Sequence, residues 1–216
     1  MSKKISYSVG SLALILFLLV AVWVKMKGTT APIAFDSSIQ KFAYHLQSSH
    51  ALTRFFSDYT GFFGDMTGYI TAGVVILALF VLGERVGAVY FALLAAFSTV
   101  VNELIKHFIH RIRPDTHRVL GFAHQSGFSF ASGHSLFATI LFGSLLLILW
   151  RYLKSSPARL SLIIGAIFLT LLVMFSRIFV GVHYPTDTVA GFLEGLVFLT
   201  FSAPTFVKYN QKYHQS

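Results

Sequence analysis

Apolar residues in this chain come in six blocks separated by short polar interruptions, at about residues 9–24, 66–82, 86–108, 132–152, 160–175 and 185–207. Blocks near ~20 residues suit helices that cross a bilayer core. Open strands at that depth would leave backbone groups unpaired. The pattern therefore predicts an all-α, polytopic membrane protein with six transmembrane helices. The first block follows Lys3 and Lys4 and has the outline of a secretory leader. It is long for one, and Pro32 directly follows the small residues 28–31, so a retained span is expected.

Between residues 25 and 65 the pattern changes. Ile39, Phe42 and Leu46 recur at helical spacing, as do Leu52, Phe55 and Tyr59. Both pieces are too short and too polar to span, which predicts interfacial helices in the first outer loop. Residues 83–85 and the stretch around Pro157 read as tight turns. The whole chain, 1–216, is expected to form one integral membrane domain.

Composition strengthens this picture. With 55% hydrophobic and 12% charged residues, the chain does not suit an ordinary soluble domain. It has no cysteine, so neither a disulfide framework nor a thiolate metal site is expected. The formal charge is +9, but the basic residues lie at span ends. That placement points to membrane lipids and phosphorylated substrates as partners, and away from nucleic acid. The oligomeric state is left open. The termini and the two short turns carry eight Lys and Arg, and the other connections carry nine. The first group is much the denser, so cytoplasmic termini are expected.

That topology gathers three polar stretches on the outer side: residues 106–114 (KHFIHRIRP), 129–135 (SFASGHS) and 176–187 (SRIFVGVHYPTD). Charges at a membrane boundary are costly and usually functional. Lys106 offers a point charge, and Arg113 and Arg177 offer planar forks that match phosphate oxygens. Ser132 and Gly133 open a helix, whose N–H groups and dipole favour an anion. His183 has Asp187 four residues on to fix its tautomer, which suits a nucleophile. His134 has no carboxylate nearby in sequence and suits a general acid. The cationic side chains supply the charge neutralisation, so no metal or other cofactor is expected.

Each residue alone has a plainer account. Lys106 and Arg113 can snorkel, Ser132 can cap a helix, and Asp187 can answer a helix dipole. The ordered set is what carries weight. Glu103 is expected to pair with Lys106 along a helix face. His107, His110, Arg111, His117 and Arg118 are expected to form a basic rim, and Glu194 either pairs within the bundle or touches the site.

The chain here resembles the type 2 phosphatidic acid phosphatase superfamily. Lys106 to Pro114 matches K-x6-RP, Ser132 to His134 matches the SGH of PSGH, and Ser176 to Asp187 matches SR-x5-H-x3-D. The resemblance implies a metal-independent lipid phosphatase. His183 would be the nucleophile, Asp187 its orienter and His134 the proton donor, with Lys106, Arg113, Ser132, Gly133 and Arg177 binding phosphate. Ala131 stands where the family element has proline, and a looser turn is expected there. The expected substrate is a lipid phosphate or diphosphate, first undecaprenyl pyrophosphate, then phosphatidylglycerol phosphate, phosphatidic acid or diacylglycerol pyrophosphate. A lipid phosphotransferase, a vanadate haloperoxidase and an anion channel or transporter are the rival readings.

Overall fold

The computed structural model describes residues 2–214, apart from the Asp65 side chain. The described residues hold helices and no strand. They are α1 (Lys3–Lys27), α2 (Ala34–Leu46), α3 (His50–Gly61), α4 (Asp65–Val81), α5 (Arg85–Ile109), α6 (Gly133–Leu149), α7 (Ser156–Phe179) and α8 (Pro185–Tyr213). A short 3₁₀ turn, Trp150–Tyr152, extends α6.

Five of these helices (α1, α5, α6 with its extension, α7 and α8) are long and apolar enough to cross a membrane. The expected sixth is different. α4 has 17 residues, about 25 Å at ~1.5 Å per residue, less than a ~30 Å core. It is long and apolar enough to cross only together with α3, from which it is bent by 60°. In place of a straight second span the chain has a bent helix pair, α3 and α4.

α8 is the central helix, packed against α1, α5, α6 and α7. Small residues make this possible. A Cβ on Gly191 would lie 2.3 Å from the Ser132 carbonyl, and one on Gly195 would lie 2.6 Å from Thr139 Cβ. The four-residue glycine spacing thus serves the contact between α6 and α8 within the chain. α1 joins through Ser6 Oγ, which donates to the Thr200 carbonyl at 2.7 Å, and through Phe17 against Phe130. Buried Phe91, Leu136, Ile140, Ile148, Val173 and Leu199 fill the interior between α5, α6, α7 and α8. Outward positions are apolar too, among them Leu19, Leu77, Leu93, Leu104 and Phe168. That is the surface a lipid solvent requires.

The two short helices depart from simple interfacial ones. α2 turns Asp36, Gln40 and Ala43 inward and leaves Phe35 and Phe42 exposed. Its polar face meets the protein because the protein is polar there. α3 is docked on α7: Phe56 packs on Phe175 and Phe179, and the Tyr59 hydroxyl donates to the Leu169 carbonyl at 3.1 Å.

Candidate active site

The three polar stretches converge at one end of the bundle. α5 ends with Lys106 in its last turn, and His110 in left-handed conformation closes the helix. The 110–132 connection then carries Arg111 and Arg113 back over α8. Ser132 caps α6 by accepting from the Ser135 N–H at 3.4 Å. α7 runs on to Phe179, which puts Arg177 inside its final turn. After the turn at 180–184, Pro185 starts α8. Asp187 closes that start by accepting from the Tyr184 N–H at 2.9 Å.

Lys106, Arg113, Gly133, His134 and His183 line a single cavity of about 500 Å³. Arg113 Nη1 lies 2.9 Å from His183 Nε2. A guanidinium only donates, so this nitrogen presents its lone pair and Nδ1 carries the proton. Nδ1 in turn lies 3.4 Å from Asp187 Oδ2. Burial, followed by Arg113, Arg177 and Lys106, holds the His183 pKa well below the ordinary histidine value, with the Ser129 backbone opposing. His134 shares these neighbours: Arg177, His183, Arg113 and Lys106 all act on it electrostatically. The Gly64 backbone covers its ring so closely that a Cβ there would lie 1.8 Å from Cε1.

Arg177 is buried and makes bonds of 3.1 Å to Thr60 Oγ1 and to Gln125 Oε1. Lys106 Nζ pairs with Glu103 at 2.6 Å, as the helix spacing predicts, and would lie 3.6 Å from a Cβ on Gly133. Ser132 differs from expectation. Its N–H donates to the Asp187 carbonyl at 3.0 Å, and its side chain is buried behind the cavity. It therefore locks the start of α6 to the start of α8, and Gly133 is the residue at the helix start that faces the cavity. The turn before it is held without proline: Ala131 is buried and its carbonyl accepts from Asn102 Nδ2 at 3.3 Å. The same amide donates to Glu194 Oε2 at 2.8 Å, so Glu194 pairs within the bundle.

The basic rim requires a correction. Arg111 is fully buried rather than on a rim. Its Nη2 meets Asp36 at 2.6 Å and its Nη1 meets Asp187 at 2.7 Å. Burial opposes its charge, but Asp187 and Asp36 outweigh this and raise its pKa. Asp36, Thr60, Gln125 and Thr186 belong to the site surroundings and were missed by sequence reasoning. Asp36 had a faint signal, as a lone carboxylate in the 25–57 stretch. The other three had none.

Away from the charges the cavity becomes apolar. Phe63, Ala72 and Ile76 on the α4 side and Ala92, Ala95 and Ala96 on α5 extend it along the bundle. Fold and site together define a multi-pass helical membrane protein with paired imidazoles and cations at the head of an apolar trough.

The chain belongs to the PAP2 superfamily, which matches residues 87–211. It is 35% identical over 109 residues to phosphatidylglycerophosphatase B of Bacillus subtilis, a match covering 49% of this chain and 52% of the relative. The chain thus spans about half the length of that relative. It is 27% identical over 189 residues to an undecaprenyl-diphosphatase of Sulfolobus acidocaldarius, covering 84% of each. In fold it is similar to the crystal structure of a transmembrane PAP2-type phosphatidylglycerolphosphate phosphatase from Bacillus subtilis. The TM-score is 0.76 at 24% identity, with 93% of this chain and 96% of that one covered.

Proposed function

We propose that the protein is a membrane lipid phosphatase that hydrolyses lipid phosphates or diphosphates through a phosphohistidine. The observation that carries this reading is the single cavity, cationic with two imidazoles at one end and apolar at the other. The phosphoryl group sits among Lys106, Arg113, Arg177 and Gly133 at the start of α6, which Ser132 caps and anchors. The apolar chain lies between α4 and α5 and reaches the site sideways from the bilayer. Arg113 leaves His183 for the phosphate oxygens, which frees Nε2 to attack phosphorus. As the bond forms, the imidazole becomes cationic, and Asp187 stabilises Nδ1–H. His134 gives a proton to the departing oxygen. It then takes one from water, which attacks the phosphohistidine and releases phosphate. Lys106, Arg113 and Arg177 hold the charge that spreads over the phosphoryl oxygens.

Undecaprenyl pyrophosphate is the favoured substrate, and phosphatidylglycerol phosphate is the second. The chemistry takes place at the outer face of a bacterial plasma membrane, with both termini in the cytoplasm. The test is phosphate release from a panel of lipid phosphates in detergent with chelator present. The expected result is turnover of at least one lipid and loss of about 10³-fold or more in His183→Ala. Unchanged turnover in that variant would falsify the mechanism.

A further inference from the structure

Behind His183 lies a buried trio of charges, of which the proposed phosphoryl chemistry uses only Asp187. Asp36 of α2, Arg111 of the 110–132 connection and Asp187 of α8 are all fully buried. Arg111 bridges the carboxylates through Nη2 at 2.6 Å and Nη1 at 2.7 Å, and its guanidinium lies 4.0 Å above the Tyr184 ring. Thr186 closes the group. Its N–H donates to Asp36 Oδ1 at 2.9 Å, and its hydroxyl lies 2.6 Å from Arg111 Nη1.

Such a trio is a poor source of stability, since apolar residues fill the same volume at least as well. Its geometry suggests another use. The two Asp187 oxygens have different partners. Oδ1 meets Arg111, while Oδ2 meets the Tyr184 N–H and faces His183 Nδ1. Arg111 therefore fixes the carboxylate rotamer. Alone it would also cancel the negative charge that a cationic imidazole needs. Asp36 supplies a second carboxylate, and the trio keeps one net negative charge.

We propose that Asp36 and Arg111 are positioning residues for His183: Arg111 orients Asp187, and Asp36 offsets Arg111 so that Asp187 still stabilises the imidazolium. This rests on the proposed roles of His183 and Asp187. The other charged and titratable groups facing His183 are Lys106 of α5, Arg113 of the same connection as Arg111, His134 of α6 and Arg177 of α7. All the cations among them disfavour a charged imidazole. The trio is thus the negative counterweight on the Nδ1 side.

The test combines pH–rate profiles with nitrogen-15 NMR titration of the His183 ring in detergent, its signal assigned by loss in His183→Gln. Asp36→Asn removes one negative charge and little volume. It is expected to lower kcat about tenfold and to move both the acid limb of kcat/KM and the ring titration to lower pH. Asp36→Glu, which keeps the charge, restores both positions. Thr186→Val removes contacts of Asp36 but no charge and leaves both positions in place. The proposal is overturned if Asp36→Asn titrates with the wild type, or if Thr186→Val shifts as far as Asp36→Asn. Should the wild-type protein release no phosphate while the ring titration shifts as expected, the proposed function fails and the charge coupling stands.

Discussion

His183 is surrounded by burial and cations that favour its uncharged form. In the proposed mechanism His183 attacks phosphorus as a neutral imidazole, so its protonation sets the acid limb of kcat/KM. Its pKa lies below the ordinary ~6.5, so the neutral form persists as the pH falls through that value. The expected profile holds its activity at pH ~6.5 and declines only at lower pH. A limb centred at or above ~6.5 contradicts the assignment. His134 faces the opposite test. As the proposed proton donor to the leaving oxygen, it matters less when that oxygen leaves easily. His134→Ala is expected to lose about 10²–10⁴-fold in kcat on a lipid phosphate and far less on a nitrophenyl phosphate ester. At this scale the sequence was legible where a residue faces the cavity. Lys106, Arg113, Gly133, His134 and His183 stand together as their chemistry suggested. Arg111 was misread because its one-dimensional neighbours are all basic or apolar. Its partners, Asp36 and Asp187, lie 75 and 76 residues away.

The elements were legible in number, and less so in shape. Apolar runs announced α1, α5, α6, α7 and α8, because a lipid-facing helix shows its nature in composition alone. The bend of 60° between α3 and α4 left no such mark, since α3 is amphipathic and α4 is long and apolar enough to cross only together with it. α2 misled in a different way. Its apolar spacing was visible, but which face turns inward depends on the buried Arg111, a residue far along the chain. Close helix packing yields a prediction here. A leucine at Gly191 would drive its side chain into the Ser132 carbonyl, forcing α6 and α8 apart. Gly191→Leu is expected to cost about 1–3 kcal/mol or more and to lower the thermal midpoint of the purified protein. Gly64→Ala acts on the site instead. Its methyl occupies the space of the His134 ring, so kcat is expected to drop about tenfold or more with the thermal midpoint little changed.

For the molecule as a whole, the trough between α4 and α5 runs from the charged site into an apolar stretch, the proposed path of the lipid chain. Small residues keep it open, notably Ala92 and Ala95. Ala95→Phe is expected to raise KM about tenfold for a long-chain lipid phosphate and to leave a water-soluble short-chain phosphate unaffected. Equal losses on both substrates would show a damaged site rather than a blocked channel. The trough was not legible in sequence, because alanines on α5 read simply as helix.

The contact between Arg113 and His183 carries one more implication. With the guanidinium against Nε2, the proposed nucleophile is masked by the very cation assigned above to the phosphoryl group. Only an anion can draw that mask aside. Uncharged phosphotriesters, however good their leaving group, should meet a covered imidazole and react no faster than with free imidazole in water.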